Sequence, residues 1–253
     1  GGCTMMVESL ARRVLAALRV VDGVTGQAIL SPLSVSGDGT TWVRNRRGLY
    51  VLTAAPGFEA HQVAMGEPPA DPAFGSRTLV IAMQDHSGTY LSRRQTIRLP
   101  RNPDPVQAVE AQSLFRPIEC RLYLSPSAPI SSAWAVIRAS VVREGDLQVL
   151  GGALIRVLRT GDGQVLARGL SDARGEALVA VPGIPVTTWE ASSGPVTGTE
   201  VDVQVEVVVD PAVGHVPDPD ALEANRETLP SRQTVMKLAS GRTVVRTLTV
   251  AIP

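Results

Sequence analysis

From Val201 to Val209 apolar and polar residues alternate, with Val201, Val203, Val205 and Val207 set between Asp202, Gln204 and Glu206. Successive side chains of a strand point to opposite faces, so this segment predicts a sheet with one buried and one wet face. The β-branched residues suit a pleated surface, and removing each Val from water is worth roughly 1.5 to 3 kcal/mol. A weaker alternation closes the chain, with Val244, Arg246, Leu248, Val250 and Ile252 on one side and Val245, Thr247, Thr249 and Ala251 on the other; which side is buried stays open. Shorter strand candidates are Leu15 to Val21, Gly48 to Thr53, Thr78 to Met83, Gln95 to Leu99, Glu119 to Leu124, Ala135 to Val142, Ala153 to Leu158 and Glu176 to Val181. Gly, Pro, Asn, Asp or Ser punctuates most of the gaps between them, which predicts an all-β chain of antiparallel sandwiches rather than alternating strands and helices. At the N-terminus Val7, Leu10, Ala11, Val14, Leu15 and Leu18 fall at helical spacing and predict a short amphipathic helix leading into the first strand.

Three signals recur in the same order along the chain. The first copy is Asn45-Arg46-Arg47-Gly48, then Pro56-Gly57, then Arg94-Gln95-Thr96; the second is Asp172-Ala173-Arg174-Gly175, then Pro182-Gly183, then Arg232-Gln233-Thr234. Such recurrence predicts a duplicated unit. Asn45 or Asp172 can bond its own following backbone, and Gly48 or Gly175 takes a conformation other residues resist, so each turn is expected to join adjacent strands as a hairpin. The copies place an N-terminal sandwich over 1–108 and a C-terminal one over 109–253, with Asn-Pro-Asp-Pro inside Arg101 to Gln112 as the linker. A Pro-rich insertion at 211–230 carries Asp220-Ala221-Leu222-Glu223, a capping-box pattern that predicts one or two helical turns. Phe58 to Arg77, with Pro68, Pro69 and Pro72, is the matching irregular stretch of the first unit, and these two loops are the expected binding surfaces.

With 44% hydrophobic but only 4% aromatic residues in 253, the cores must be filled by Val, Leu, Ile and Ala. The formal net charge is zero and no block of like charge forms a basic stripe, which argues against nucleic acid as a partner. No apolar run approaches the roughly 20 residues of a membrane span. Glu8, Arg12 and Arg13 interrupt any signal-like stretch from Met5 to Leu18, so a cytoplasmic location is expected. Cys3 and Cys120 do not read as a disulfide framework; Cys3 is read as an unpaired thiol and Cys120 as a buried one.

The segments Ala135 to Ala139, Leu150-Gly151-Gly152-Ala153-Leu154-Ile155-Arg156-Val157, Ala167 to Leu178 and Val181-Pro182-Gly183 together resemble the carboxypeptidase regulatory-like domain. That resemblance implies a transthyretin-like, seven-stranded β-sandwich, with Gly152-Ala153, the Ser171 to Gly175 turn and the Val181 to Gly183 step matching the family's elements. Thr25-Gly26-Gln27, Asn45 to Gly48 and Pro56-Gly57 fit a degraded first copy, which has Asn for the usual Asp and lacks the Gly-Ala pair. The implied architecture is two tandem transthyretin-like or Ig-like sandwiches. Leu122-Tyr123-Leu124-Ser125-Pro126 and Trp134 to Arg138 are similar to accessory proteins of phage-tail-like contractile particles.

No catalytic constellation stands out. His61, His86 and His215 are scattered, none is followed by Glu at helical spacing, and exposed loop positions are expected for all three. The chain ends without the Tyr-Arg-Gly-Ser of transthyretin-like hydrolases, and no Gly-x-Ser-x-Gly elbow occurs. Asp38, Asp162, Asp218 and Asp220 fall short of a calcium loop's ligand count, so neither metal nor cofactor is expected. Arg44, Arg46 and Arg47 read as a solvated turn tip. Trp42 and Trp189 are the candidate ligand contacts, able to stack on sugar rings. The expected function is a non-enzymatic structural or interaction protein with a protein partner; the alternative is a carbohydrate-binding or adhesion module.

Overall fold

The computed structural model describes residues 13–63, 67–184 and 200–252. It is almost all β. The strands are β1 (Ala16–Asp22), β2 (Ser34–Ser36), β3 (Thr41–Arg44), β4 (Tyr50–Ala54), β5 (Arg77–Gln84), β6 (Arg93–Leu99) and β7 (Ile118–Leu122), followed by β8 (Ala135–Arg143), β9 (Leu154–Arg159), β10 (Val165–Leu170), β11 (Glu176–Val181), β12 (Glu200–Val208), β13 (Ser231–Ala239) and β14 (Thr243–Val250). Helices are short: α1 (Glu59–Val63), α2 (Pro219–Ala224) and a 3-10 turn at Pro105–Gln107. The predicted N-terminal helix lies largely outside the described residues, and from Ala16 onward its segment is strand β1.

Two sheets, ordered β3-β4-β1-β7 and β2-β5-β6, use the first seven strands; two more, β10-β9-β12-β13 and β11-β8-β14, use the last seven. Within each set the fourth, first and seventh strands form one sheet and the second, fifth and sixth the other. Only the third strand differs. β3 pairs with β4, whereas β10 pairs with β9 along Val165 to Leu170. The cause is the length of the second strand: β9 offers six residues, while β2 has only three and leaves β3 no partner there. The Asn45 turn therefore closes a hairpin. The Asp172 turn does not, as expected of it, join neighbours in one sheet; it carries the chain between sheets, with a single bridge at Ser171 and Ala177. The pair β14 on β8 is parallel, an exception to the antiparallel expectation.

Contacts group the chain into two compact units, Gly1–Arg19, Val35–Ile81 and Ile97–Glu119 in one, and Val20–Ser34, Ala82–Thr96 and Cys120–Pro253 in the other. The first buries Leu18, Leu52, Phe58, Ile81, Ile97 and Leu99. In the second, Ile137, Val141, Ile155, Val157, Val179, Val203, Val205 and Leu238 form one apolar cluster, all fully enclosed. The valine alternation of β12 is thus realised, with Val203 and Val205 inside. On β14 the buried side is that of Leu248 and Val250, leaving Val245 exposed. The other face of β12 is only partly wet, because Leu222 of α2 packs on Leu154, Leu170 and Val208.

Candidate functional site

The two recurring turns are built alike. Asn45 Oδ1 accepts from the N–H groups of Arg47 (2.9 Å) and Leu49 (3.0 Å), and Asp172 Oδ1 accepts from those of Arg174 (2.8 Å) and Glu176 (3.0 Å). Gly48 and Gly175 follow at φ 80° and 77°, in the left-handed region that favours Gly, and each N–H donates back to the carbonyl of its Asx. Pro182 is half-buried and Gly183, at φ 75°, closes the strand end after Val181. All six residues shape backbone; apart from the Arg174 guanidinium on Asp172 at 3.1 Å, no titratable side chain among the described residues joins them.

Trp42 is half-buried on β3 and donates its Nε1–H to Thr40 Oγ1 at 2.9 Å. Trp189 lies outside the described residues. Beside Trp42, Arg44 holds its guanidinium 6.0 Å from the centre of the Tyr50 ring, while Arg46 and Arg47 are exposed. His86 and His215 are exposed, and His86 Nε2 lies 2.7 Å from Ser34 Oγ. His61 departs from the loop expectation. It sits buried in α1, three residues after Phe58, a spacing that stacks side chains on one face, and its ring meets that of Phe58 edge-on at 5.7 Å. Asp162 is engaged by Arg159 and Gln164. Among the described residues no three His, Cys, Asp or Glu gather as metal ligands.

Charged side chains do converge in the second unit. Arg93, fully buried, donates to Asp220 Oδ2 at 2.6 Å, to the Arg121 carbonyl at 2.9 Å and to the Arg94 carbonyl at 3.0 Å. Asp218 caps α2 through Asp220 and Ala221 and accepts from Thr96 N–H at 2.7 Å. The N-cap is therefore Asp218, two residues before the Asp220 that the capping-box pattern suggested, because Pro219 occupies the first helical position. Glu223 instead reaches Arg168 (2.8 Å) and Arg156 (3.0 Å), and Arg156 also pairs with Glu206, its cross-strand neighbour. Burial would raise the Glu223 carboxyl, yet Arg168 and Arg156 hold it below its ordinary value. Burial pushes the Tyr123 hydroxyl up to about 12. The charges of Arg93, Arg156, Arg168, Asp218, Asp220, Glu206 and Glu223 pair among themselves, so the network clamps α2 to its sheet. Its sequence signal was Arg156 inside an apolar run and Glu206 among valines.

A different feature faces solvent. The turn between β8 and the β9 approach returns Leu147 N–H to the Arg143 carbonyl at 3.1 Å, with Leu147 at φ 59°, the one non-glycine residue at positive φ among those described. The next hairpin has the same arrangement, Gly163 N–H to the Arg159 carbonyl, and there a Gly at φ 70° takes the strained place. Leu147 is 64% exposed and its neighbour Val149 52%. The Arg143 guanidinium and the Gln148 N–H hold the Asp146 carboxyl down at about 2, which fixes the tip. Sequence reasoning missed it, although an apolar residue in Gly145-Asp146-Leu147 was the available cue.

A comparison with family models and with curated proteins finds no match. Solved structures that resemble the chain include these two. The Bacillus anthracis TIE protein shares 9% identity at a TM-score of 0.30 over 94% of this chain and 34% of its own. A streptococcal ancillary pilin shares 10% identity at a TM-score of 0.25 over 84% of this chain and 49% of its own. The chain thus spans between a third and a half of their lengths, and at those scores neither bears on the argument.

Proposed function

We propose that this chain is a non-enzymatic interaction protein of transthyretin-like sandwiches, an accessory component of a phage-tail-like contractile assembly, which docks on a protein partner through the Leu147 tip. One observation carries the reading: a large apolar side chain, 64% exposed, stands at φ 59°, where L-residues are disfavoured by roughly 1 to 2 kcal/mol. Neither folding nor solubility benefits from that choice, whereas a protein partner burying Leu147 and Val149 does. The similarity of Leu122 to Pro126 and of Trp134 to Arg138 to accessory proteins of contractile particles supports the kind of partner. A self-satisfied ion network in place of a reactive one favours binding over catalysis.

The test is affinity capture from the source cells with tagged wild type and Leu147→Gly, followed by negative-stain imaging of the eluates. Particles retained by wild type and lost with Leu147→Gly, which relieves backbone strain and keeps the fold, support the reading. Equal retention by both removes the Leu147 tip as the docking point; no particles with wild type, together with a glycan array bound by the protein and silenced by Trp42→Ala, replaces the reading with the carbohydrate-binding alternative.

A further inference from the structure

In the first compact unit a cavity of about 420 Å³ is lined by Arg19, Arg101, Arg116 and Glu119, with Pro117 and Ile118 as its apolar wall. Arg19 stands on the face of β1 opposite Leu18, Arg101 opens the segment, Arg101 to Gln112, that sequence reading took for a linker, and Arg116 follows just beyond it. That segment instead closes on itself: Asn102 N–H donates to the Gln112 carbonyl and Leu114 N–H to that of Asn102, both at 2.8 Å. Arg101 is only 8% exposed and uses Nη2 on the Ser113 (2.8 Å) and Arg116 (3.0 Å) carbonyls, while Arg116 donates to the Val109 carbonyl at 3.0 Å. No described carboxylate forms an ion pair with Arg19, Arg101 or Arg116.

A buried guanidinium keeps its charge, so enclosing one beside another without a counter-ion is unfavourable. Burial and the nearby Arg116 both work against protonation of Arg101. An oxyanion removes that penalty, since guanidinium forks match the oxygens of phosphate and carboxylate. Three guanidiniums against the one carboxylate of Glu119 select a dianion over a monocarboxylate. We propose that this cavity is an oxyanion site that takes a phosphate group, either free phosphate or the head of a phosphomonoester.

Calorimetric titration of the whole chain with inorganic phosphate, glycerol phosphate and acetate, at matched ionic strength, tests it. Because Arg101 also holds the loop, the variants are Arg19→Gln and Arg116→Gln, both at exposed positions. Saturable phosphate or glycerol phosphate binding, weakened about tenfold or more by each variant, supports the site, and the tighter of the two names its source. No saturable heat from either, acetate binding equally well, or affinities indifferent to both substitutions overturns it.

Discussion

Leu147 stands where Gly26 stands. Gly26 N–H returns to the Asp22 carbonyl at 2.8 Å and Leu147 N–H to that of Arg143 at 3.1 Å; Asp22 and Arg143 each donate across to Gln27 and Gln148 at 2.8 Å. Their φ angles are 71° and 59°. The first and eighth strands of the chain thus end in one turn design, with Gly in one copy and a strained Leu in the other.

Exchanging them should move stability in opposite directions. Leu147→Gly is expected to raise the urea unfolding midpoint by an amount worth about 1 kcal/mol, and Gly26→Leu, whose added Cβ meets nothing within 4 Å, to lower it by a similar amount. A lowered midpoint for Leu147→Gly would show that the side chain contributes to folding and remove the reason for assigning it to a partner.

Val205 is fully buried, paired with Val157 on β9 and Thr234 on β13. Val205→Asp would place a carboxylate in an apolar cluster that offers no partner, a cost of several kcal/mol that exceeds what a marginal core can absorb. Hydrogen exchange read by mass spectrometry should lose protection throughout β8 to β14. Retained protection in β9 and β12 would contradict the inward valine face.

Gly175 has φ 77°, and a Cβ there would lie 2.6 Å from the Val141 carbonyl oxygen; at Gly183, φ 75°, it would meet nothing within 4 Å. The first has both backbone strain and a clash with main chain, the second strain alone. Gly175→Ala should therefore cost clearly more than the roughly 1 kcal/mol of Gly183→Ala in denaturant titration. Equal losses would mean that the strand contact around Val141 yields freely.

How far these features could be read from sequence depended on the range of the interaction behind them. Local chemistry was legible: the valine alternation of β12, the Asn45 and Asp172 turns, and the helix around Leu222 follow from neighbours within a few residues. β2, β3 and β10 were missed because Ser34–Ser36 is only three residues long and Gly169 and Arg168 break any alternation in β10. The switch of the third strand depends on how long a partner the second strand offers, a pairing across the chain. Arg101 looked like part of a linker because Asn102-Pro103-Asp104-Pro105 dominates the local composition; only the fold brings the Ser113 and Arg116 carbonyls around it. His61 was expected on an exposed loop because no apolar period around α1 marks a helix there.

The Glu223 bridge sets a pH dependence. Its carboxyl is held below the ordinary 4.5 by Arg168 and Arg156 against the pull of burial, so the unfolded chain takes up its proton at higher pH than the folded one. The bridge then contributes fully above about pH 4.5, and its contribution falls away as pH drops through the lower, folded value. Glu223→Gln leaves Arg168 and Arg156 short of a charge, a loss of about 1 to 3 kcal/mol at pH 7. Urea midpoints of wild type and Glu223→Gln should be far apart at pH 7 and approach each other toward pH 3. A gap unchanged across that range would mean that shape, not charge, holds α2 on its sheet.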